Sequence, residues 1–291
     1  MKLAMQALVA TLVLAGSAPC AAPPVLGRFV DAAGAWSLLG QQAAVLDART
    51  AAAYRKGHIA GARLVAWDAF SDTSAPLAKG LLSSDRELLG RLLGALGVRG
   101  DRPVLVYGDP LAGWGEEGRI AWMLEHLGHR DVHVLDGGVN AWTAAGGTLT
   151  RDVPPPATGK FEILPVPAVS AAVAEVQRVS ASGGAILLDT RTPDEYRGAT
   201  WYGAPRGGHI PRAQLFPWQQ LLDPAGKLLP VERIRTLVAP AGSPVIAYCT
   251  GGVRSGFVYW ALAHAGVASV KNYPGSWWEW SGRRDLPVEK D

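Results

Sequence analysis

The chain has 291 residues, of which 48% are hydrophobic, and its formal net charge at pH 7 is +3. That length accommodates two modest domains or one large one, and the hydrophobic share supports substantial cores, which argues against wholesale disorder. The small net charge comes without a basic run, so the composition gives no electrostatic reason to expect nucleic acid as a partner.

The chain begins with the pattern of a secretory signal peptide. Lys2 supplies a positive charge, residues 3–16 are mainly apolar, and the small residues SAPCAA follow. This stretch is too short for a membrane span, so we expect residues 1–22 to be a cleaved signal and the mature protein to be soluble and periplasmic. A lipid anchor on Cys20 is the alternative, and the proline directly before it fits a lipidation signal poorly.

The first half of the chain then alternates between two kinds of element. AAVLDA and PVLVYG are short apolar runs typical of buried parallel strands, and SDRELLGRLLGALGV between them has helical periodicity. Ser83 or Ser84 is the expected cap of that helix. Strand–helix alternation predicts an α/β domain with a parallel sheet flanked by helices, over about 26–150.

A proline-rich stretch, residues 151–167, follows as a linker, because proline neither continues a helix nor sits inside a sheet. Residues 168–291 then repeat the order of the first half, which predicts a second domain of the same fold. The matched residues of the two copies are Asp47, Arg49, Tyr54, Gly57, His58, Ile59 and Trp67 in the first and Asp189, Arg191, Tyr196, Gly208, His209, Ile210 and Trp218 in the second.

Cys249 stands directly after the apolar run VIAY of the second copy, and it is the one cysteine left once the signal is removed. An isolated cysteine is most simply a small buried hydrophobic residue. In open parallel sheets, however, ligands bind beyond the carboxyl ends of the strands, which is where Cys249 falls. Its position therefore makes it a candidate nucleophile.

The residues after Cys249 suit an anion. They are Thr250, Gly251, Gly252, Val253 and Arg254, with a helix expected to begin after the arginine. Consecutive glycines allow a turn that points backbone N–H groups inward, and a helix N-terminus and a guanidinium add positive charge. We expect this cradle to lower the pKa of the Cys249 thiol and to hold an anionic substrate or sulfur adduct.

Several blocks in the same order, twice, resemble tandem-domain rhodanese sulfurtransferases: LLDTR…GHI, the YC strand end with its six-residue loop, and GSWWEW. The resemblance implies that Cys249 takes a sulfane sulfur from a small anionic donor, thiosulfate or 3-mercaptopyruvate. A thiol or a cyanide-like acceptor then removes it, without metal or organic cofactor. It also implies that a monomer suffices, since two fused domains form the cleft.

The first copy lacks the nucleophile. Gly108 or Asp109 stands at the place of the cysteine, and Glu116 and Glu117 are expected to repel an anion. The first domain thus resembles the inactive half of tandem rhodaneses. Trp114 in its loop either faces the active site or lies on the surface.

Two other functions stay open. Cell-cycle phosphatases share this fold and a cysteine loop, but their arginine comes one residue later, where this chain has Ser255. The shorter loop favours a single sulfur atom over a phosphoryl group. The other alternative is a persulfide carrier or docking protein with low turnover.

The pattern departs from its family at the substrate site. CTGGVR matches neither the mammalian thiosulfate loop nor the mercaptopyruvate loop, and Glu195 stands where tandem enzymes often have a substrate-binding arginine. Arg197, two positions later, is the predicted substitute, and the identity of the donor stays open.

The remaining polar and aromatic candidates favour structural roles. The Asp189–Arg191 pair and His209 recur in the half without a nucleophile, which indicates bracing of loops and a turn. The tryptophans of SWWEW are expected to pack in the core and at the rim, and Trp201 and Trp218 are candidates to line the cleft.

Overall fold

The protein is described by a computed structural model over residues 27–72, 74–77, 79–238 and 242–290, and the predicted signal segment lies outside these ranges. The chain forms two α/β domains joined by the proline-rich stretch. Each domain is a parallel sheet flanked by helices, as the sequence predicts. Within the described ranges, no helix has the length and apolar character that crossing a membrane requires.

In the first domain, the described strands form a five-stranded sheet with the order β1-β5-β4-β2-β3, every neighbouring pair being parallel. The central strands are buried throughout, which explains their continuous apolar sequences. The elements are β1 (Phe29–Val30), α1 (Ala32–Gly40), β2 (Ala44–Asp47), α2 (Ala51–Lys56), β3 (Arg63–Leu64), α3 (Arg86–Ala95), β4 (Val104–Tyr107), α4 (Glu116–His126), β5 (Val132–Leu135) and α5 (Gly138–Ala144).

In the second domain, the described strands form a four-stranded parallel sheet with the order β7-β6-β8-β9. Its elements are α6 (Val173–Ser182), β6 (Ile186–Asp189), α7 (Pro193–Arg197), β7 (Gln214–Leu215), α8 (Val231–Leu237), β8 (Val245–Tyr248), α9 (Val253–His264), β9 (Val270–Asn272) and α10 (Ser276–Gly282). Short 3-10 helices lie at Trp67–Phe70, Pro167–Val169 and Trp218–Leu221.

Two expected helix starts are wrong by a few residues. Helix α3 is capped by Asp85 and not by Ser83 or Ser84, because the Asp85 carboxylate accepts the Leu88 N–H at 2.9 Å. Helix α9 begins at Val253, before the arginine and not after it, since Gly252 takes a left-handed φ of 83° and serves as the cap. Arg254 therefore lies in the first turn of α9.

The two domains meet along α4 and α9, the most extensively contacting pair of elements. Two glycines allow this approach: a side chain on Gly118 would overlap the Phe257 backbone, and a Cβ on Gly256 would lie 2.8 Å from the Cα of Arg119. The largest hydrophobic core includes buried residues of both domains. Because the N-termini of both helices belong to the loops at the carboxyl edges of the sheets, this packing brings first-domain residues to Cys249.

Candidate active site

Cys249 follows the last residue of β8, and the first turn of α10 holds its backbone. The Cys249 N–H donates to the Ser276 hydroxyl at 3.1 Å, and that hydroxyl donates to the Tyr273 carbonyl at 2.6 Å. The Cys249 carbonyl accepts the Trp277 N–H at 3.0 Å. Ser276 adopts a φ of 51°, a conformation that costs a residue with a side chain about 1 kcal/mol. These contacts fix the backbone of the cysteine.

The loop after the cysteine turns back over the sulfur. The Gly252 N–H lies 3.1 Å from Cys249 Sγ, so the glycine cap of α9 presents an amide to the thiol. The carbonyl of Gly252 accepts the Asn272 side-chain amide at 3.2 Å. Asn272 also accepts the Ser255 hydroxyl at 2.7 Å. The cradle predicted from the sequence is thus braced by β9.

The surroundings of Cys249 favour its thiolate. Burial by itself raises the pKa of the thiol, but the charge of Arg254 and the amides of Ser255 and Gly251 outweigh it, so that the pKa lies below its ordinary value. Although the residue is only 1% exposed, it lines an open pocket. The predicted direction of the pKa shift is confirmed.

Arg254 makes its contacts with protein groups. Its guanidinium donates to both oxygens of Glu195, at 2.7 and 2.9 Å, and to the Thr250 hydroxyl at 2.6 Å. Thr250 in turn donates to Glu195 at 2.8 Å. Burial would raise the pKa of Glu195, but the guanidinium and these hydrogen bonds lower it to about 2. The arginine is therefore rigid and charged, with much of its charge balanced by Glu195.

The pocket above the sulfur has a volume of about 190 Å³ and mainly aromatic walls. Trp67 and Trp114 come from the first domain, and Tyr202 and Trp278 from the second. The Trp114 ring also lies over the Arg254 guanidinium, 5.4 Å from its carbon to the ring centroid. Both domains therefore build the site, and Trp114 faces the active site, the first of its two predicted positions.

The structure brings together most, but not all, of the predicted site residues. Cys249, Thr250, Gly251, Val253 and Arg254 line the pocket, and Gly252 contributes its amide. Arg197 is not brought there. Its guanidinium pairs with Asp194 at 2.7 Å on an exposed surface, with 57% of the side chain accessible.

Two of the aromatic expectations are wrong. Trp218 is a core residue packed edge-on against Phe257, and Trp201 is exposed beside Tyr202 without lining the pocket. Trp278 of the SWWEW block, expected to be packing, forms a wall of the pocket. For Trp278 the reason is the orientation of α10, which turns this tryptophan toward the cysteine loop. The indole N–H groups of Trp277 and Trp280 donate to the Arg206 and Pro287 carbonyls instead.

The first domain shows why it has no nucleophile. Tyr107 pairs with Asp47 in the register in which Tyr248 pairs with Asp189, so Gly108 is the counterpart of Cys249. The Glu117 carboxyl fills this position, its Cδ lying 2.7 Å from where a Cβ on Gly108 would stand.

Glu117 occupies the second position of α4, which Arg254 occupies in α9. Burial, reinforced by the charge of Glu116, raises the pKa of Glu117 to about 8. The expectation that Glu117 repels anions is therefore wrong at neutral pH, because its carboxyl is largely protonated. Cysteine chemistry at this position is excluded because Gly108 has no thiol and the Glu117 carboxyl fills the space of the side chain.

The repeated Asp–Arg pairs have the structural role predicted for them. Arg191 binds the carboxylate of Asp189 and the Gly208 carbonyl, and the Tyr248 hydroxyl donates to Asp189 at 2.7 Å. The same contacts recur among Arg49, Asp47, Gly57 and Tyr107 in the first domain. His58 and His209 stack on the preceding tyrosine of each copy and contact its carbonyl.

Sequence reasoning missed the role of Glu195 and two walls of the pocket, Trp67 and Tyr202. Thr192 and Glu195 have the spacing of a capping box at the start of α7, and this signal was readable. For Trp67 the signal was indirect, because its repeat counterpart Trp218 was a candidate to line the cleft, and the structure places Trp67 and not Trp218 in the wall. In the described ranges, no cluster of three or more His, Cys, Asp or Glu side chains is placed to hold a metal ion.

A thiol poised for ionisation at the carboxyl edge of one of two fused parallel-sheet domains defines a cysteine-dependent enzyme. The chain belongs to the rhodanese family: the pattern of the rhodanese-like domain matches residues 31–145 and 172–283. The protein is a sulfurtransferase.

The matches to known proteins extend over most of both chains. The chain is 36% identical over 253 residues to a thiosulfate sulfurtransferase of Pseudomonas aeruginosa, covering 84% of this chain and 90% of the relative. It is 32% identical to a sulfur carrier protein, TtuD, of Thermus thermophilus, covering 81% and 87%. Among solved structures, the 3-mercaptopyruvate sulfurtransferase SseA of Escherichia coli has a TM-score of 0.74 and 28% identity, covering 87% and 99%.

Proposed function

We propose that this protein moves a sulfur atom, the sulfane sulfur of thiosulfate or the thiol sulfur of 3-mercaptopyruvate, to a thiol or cyanide-like acceptor through a persulfide on Cys249. The observation that carries the proposal is the buried thiol whose pKa is lowered and which nevertheless lines an open pocket. Relatives named for thiosulfate and for 3-mercaptopyruvate, at 36% and 35% identity, support both donors.

The proposed reaction has two balanced steps. The Cys249 thiolate attacks the outer sulfur of thiosulfate, an S–S bond forms on the enzyme, and the donor S–S bond breaks to release sulfite with the electron pair. With 3-mercaptopyruvate the thiolate attacks the thiol sulfur, the C–S bond breaks, and the electron pair leaves as pyruvate enolate, which takes up the thiol proton to give pyruvate. Cyanide then attacks the outer sulfur of the persulfide, which yields thiocyanate and restores the thiolate. The Gly252 amide and the charge of Arg254 stabilise the anionic sulfur in both states.

The test is thiocyanate formation from cyanide with a panel of thiosulfate and 3-mercaptopyruvate. We expect Cys249→Ala to lose all measurable turnover with either donor, because the thiol is the nucleophile. Ser182→Ala, at an exposed residue that does not line the pocket, serves as the control and should keep full activity. Turnover that survives Cys249→Ala would rule the mechanism out.

The second candidate is a persulfide carrier, which the relationship to the Thermus sulfur carrier protein supports. Intact-protein mass spectrometry after exposure to thiosulfate distinguishes the two. A stable adduct of one sulfur atom with little multiple turnover identifies a carrier, whereas rapid catalytic turnover identifies an enzyme. Hydrolysis of aryl phosphates that depends on Cys249 would instead indicate a phosphatase.

We also propose that the protein is exported to the periplasm, which the signal-like pattern of residues 1–22 supports. A monomer is proposed because both domains of one chain line the pocket. Fractionation of cells that express the full chain, with N-terminal sequencing of the product, tests export. A product that keeps Met1 in the cytosolic fraction would contradict it.

A further inference from the structure

Arg119 is a buried arginine of the first domain that has no carboxylate partner among the described residues. It lies on α4 and is 0% exposed. Its guanidinium donates to the Gly80 carbonyl at 2.8 Å, with longer contacts to the Ser71 hydroxyl at 3.4 Å and the Gly252 carbonyl at 3.5 Å. Its Nε has no hydrogen-bond partner. Proteins rarely bury a cation without an anion, because desolvation costs several kcal/mol.

Arg119 packs against the loop that follows Cys249. A Cβ on Gly252 would lie 2.6 Å from Arg119 Nη1, so only glycine leaves room for the guanidinium. The guanidinium carbon of Arg119 lies 4.6 Å from the ring centroid of Trp122 and 5.9 Å from that of Trp67, which lines the pocket. Arg119 therefore contacts both the loop and a wall residue of the pocket without lining the pocket itself.

Arg119 also ties a first-domain loop to the catalytic one. The Gly80 carbonyl that it binds belongs to a segment packed on the second domain, where a Cβ on Gly80 would lie 2.8 Å from the Gly251 carbonyl. One guanidinium thus contacts the Gly80 segment and, through Gly252, the residue whose amide faces the sulfur. A displacement of the Arg119 guanidinium would therefore shift both the Gly80 segment and Gly252.

Among the described residues, the other charged groups around the sulfur leave its negative charge without a fully buried, unpaired positive charge to offset it. Arg254 on α9 is balanced by Glu195 on α7, and Glu116 on α4 adds an acidic group to the pocket. Lys79 lies 5.6 Å from the ring centroid of the pocket residue Trp278, at a half-buried position. Arg119 is fully buried and, among the described residues, forms no ion pair. Burial lowers its pKa to about 10, while the charge of Cys249 acts in the opposite direction, so it stays cationic at neutral pH.

We infer that Arg119 is a positioning residue of the active site, supplied by the inactive domain, which fixes the Cys249 loop and offsets the negative charge on its sulfur. The inference rests on the proposed role of Cys249 as the sulfur-carrying thiolate. It gives the first domain a part in the chemistry beyond packing. The buried guanidinium finds its counter-ion in the thiolate or persulfide.

The test compares Arg119→Gln and Arg119→Lys by the rate of iodoacetamide alkylation of Cys249 between pH 5 and 10, without any sulfur donor. Arg28→Gln is the matched control. Arg28 binds Glu125 on α4 at 2.7 Å and stacks on Trp260 of α9, so its loss disturbs the same pair of helices away from the cysteine.

We expect Arg119→Gln to slow alkylation at pH 7 roughly three- to tenfold and to move the midpoint of the profile upward. Arg119→Lys keeps the charge but loses the forked and stacked contacts, so we expect its midpoint to stay close to that of wild type while its maximal rate falls. Arg28→Gln should leave the profile unchanged. A wild-type profile for Arg119→Gln, or an equal shift in Arg28→Gln, overturns the inference. If Arg119→Gln does not fold, an upward shift of the midpoint in folded Arg119→Lys, which keeps the charge, overturns it too.

The alkylation assay also separates this inference from the proposed function. A wild-type enzyme with a low alkylation midpoint but no turnover of thiosulfate or 3-mercaptopyruvate would contradict the proposed donors. It would leave the role of Arg119 standing.

Discussion

The guanidinium of Arg254 and the carboxylate of Glu195 form a buried two-pronged ion pair, with N–O distances of 2.7 and 2.9 Å, next to the catalytic thiol. Glu195 stands where many tandem relatives are expected to have a substrate-binding arginine. Glu195 therefore holds the Arg254 side chain in place and also neutralises much of its positive charge. The charge that the donor meets depends on this balance.

Glu195→Gln should destabilise the protein by about 3–5 kcal/mol, because it leaves Arg254 buried with a neutral partner. Both side chains are at most 5% exposed, so solvent cannot compensate. The charge of Arg254 is then unopposed, and we expect the alkylation midpoint of Cys249 to move downward. Urea unfolding and the alkylation profile measure the two effects.

The control for this change is Asp194→Asn, which breaks the exposed pair with Arg197 one residue away. Exposed pairs contribute about 0–1 kcal/mol, so its stability should stay close to that of wild type. Equal losses in the two variants would show that the buried pair has no special weight.

Gly251→Ala should impair catalysis more than folding. The new Cβ would overlap the six-membered ring of Trp278, which forms a wall of the pocket. Either the ring or the loop must shift, and a displacement of about 1 Å at the site costs on the order of 100-fold in rate. We expect thiosulfate:cyanide turnover to fall at least tenfold, with stability lowered by about 1–3 kcal/mol.

Gly100→Ala is the control for added volume at a glycine, since its Cβ would meet nothing within 4 Å and its φ is not positive. It should keep wild-type turnover. If Gly251→Ala turns over as fast as Gly100→Ala, the contact between the loop and Trp278 does not set the geometry of the site.

Glu117 should make stability depend on pH in the neutral range. Its pKa is raised to about 8 in the fold and is about 4.3 in an unfolded chain. Between these values the folded state holds a proton that the unfolded state has lost, so its contribution is complete below about pH 4 and is lost as the pH rises through 8. Glu117→Gln removes this dependence.

We therefore expect the stability of Glu117→Gln relative to wild type to increase from pH 5 to pH 8.5, by a few kcal/mol in total. Urea titrations at several pH values measure the difference, and the titration of histidines cancels because both proteins share them. Glu87→Gln, at an exposed position of α3, provides the control. A constant difference between Glu117→Gln and wild type would contradict the buried neutral carboxyl.

The sequence by itself determined the two-domain α/β fold, the inert first copy and the position of the nucleophile. These follow from local patterns: buried parallel strands read as continuous apolar runs, and the repeat places Cys249 at a strand end. The loop chemistry was also local, since glycines, amides and arginine within six residues must lie together.

Only the tertiary structure decided what surrounds the sulfur. Trp67, Trp114 and Arg119 reach it because α4 and α9 cross at Gly118 and Gly256, a contact between segments that are more than 130 residues apart. The face of α7 that meets the loop carries Glu195, which pairs with Arg254, whereas Arg197 pairs with Asp194 on the surface. No local sequence pattern indicates which face this is. Side-chain direction across a domain interface depends on packing, and packing is not written in residue spacing.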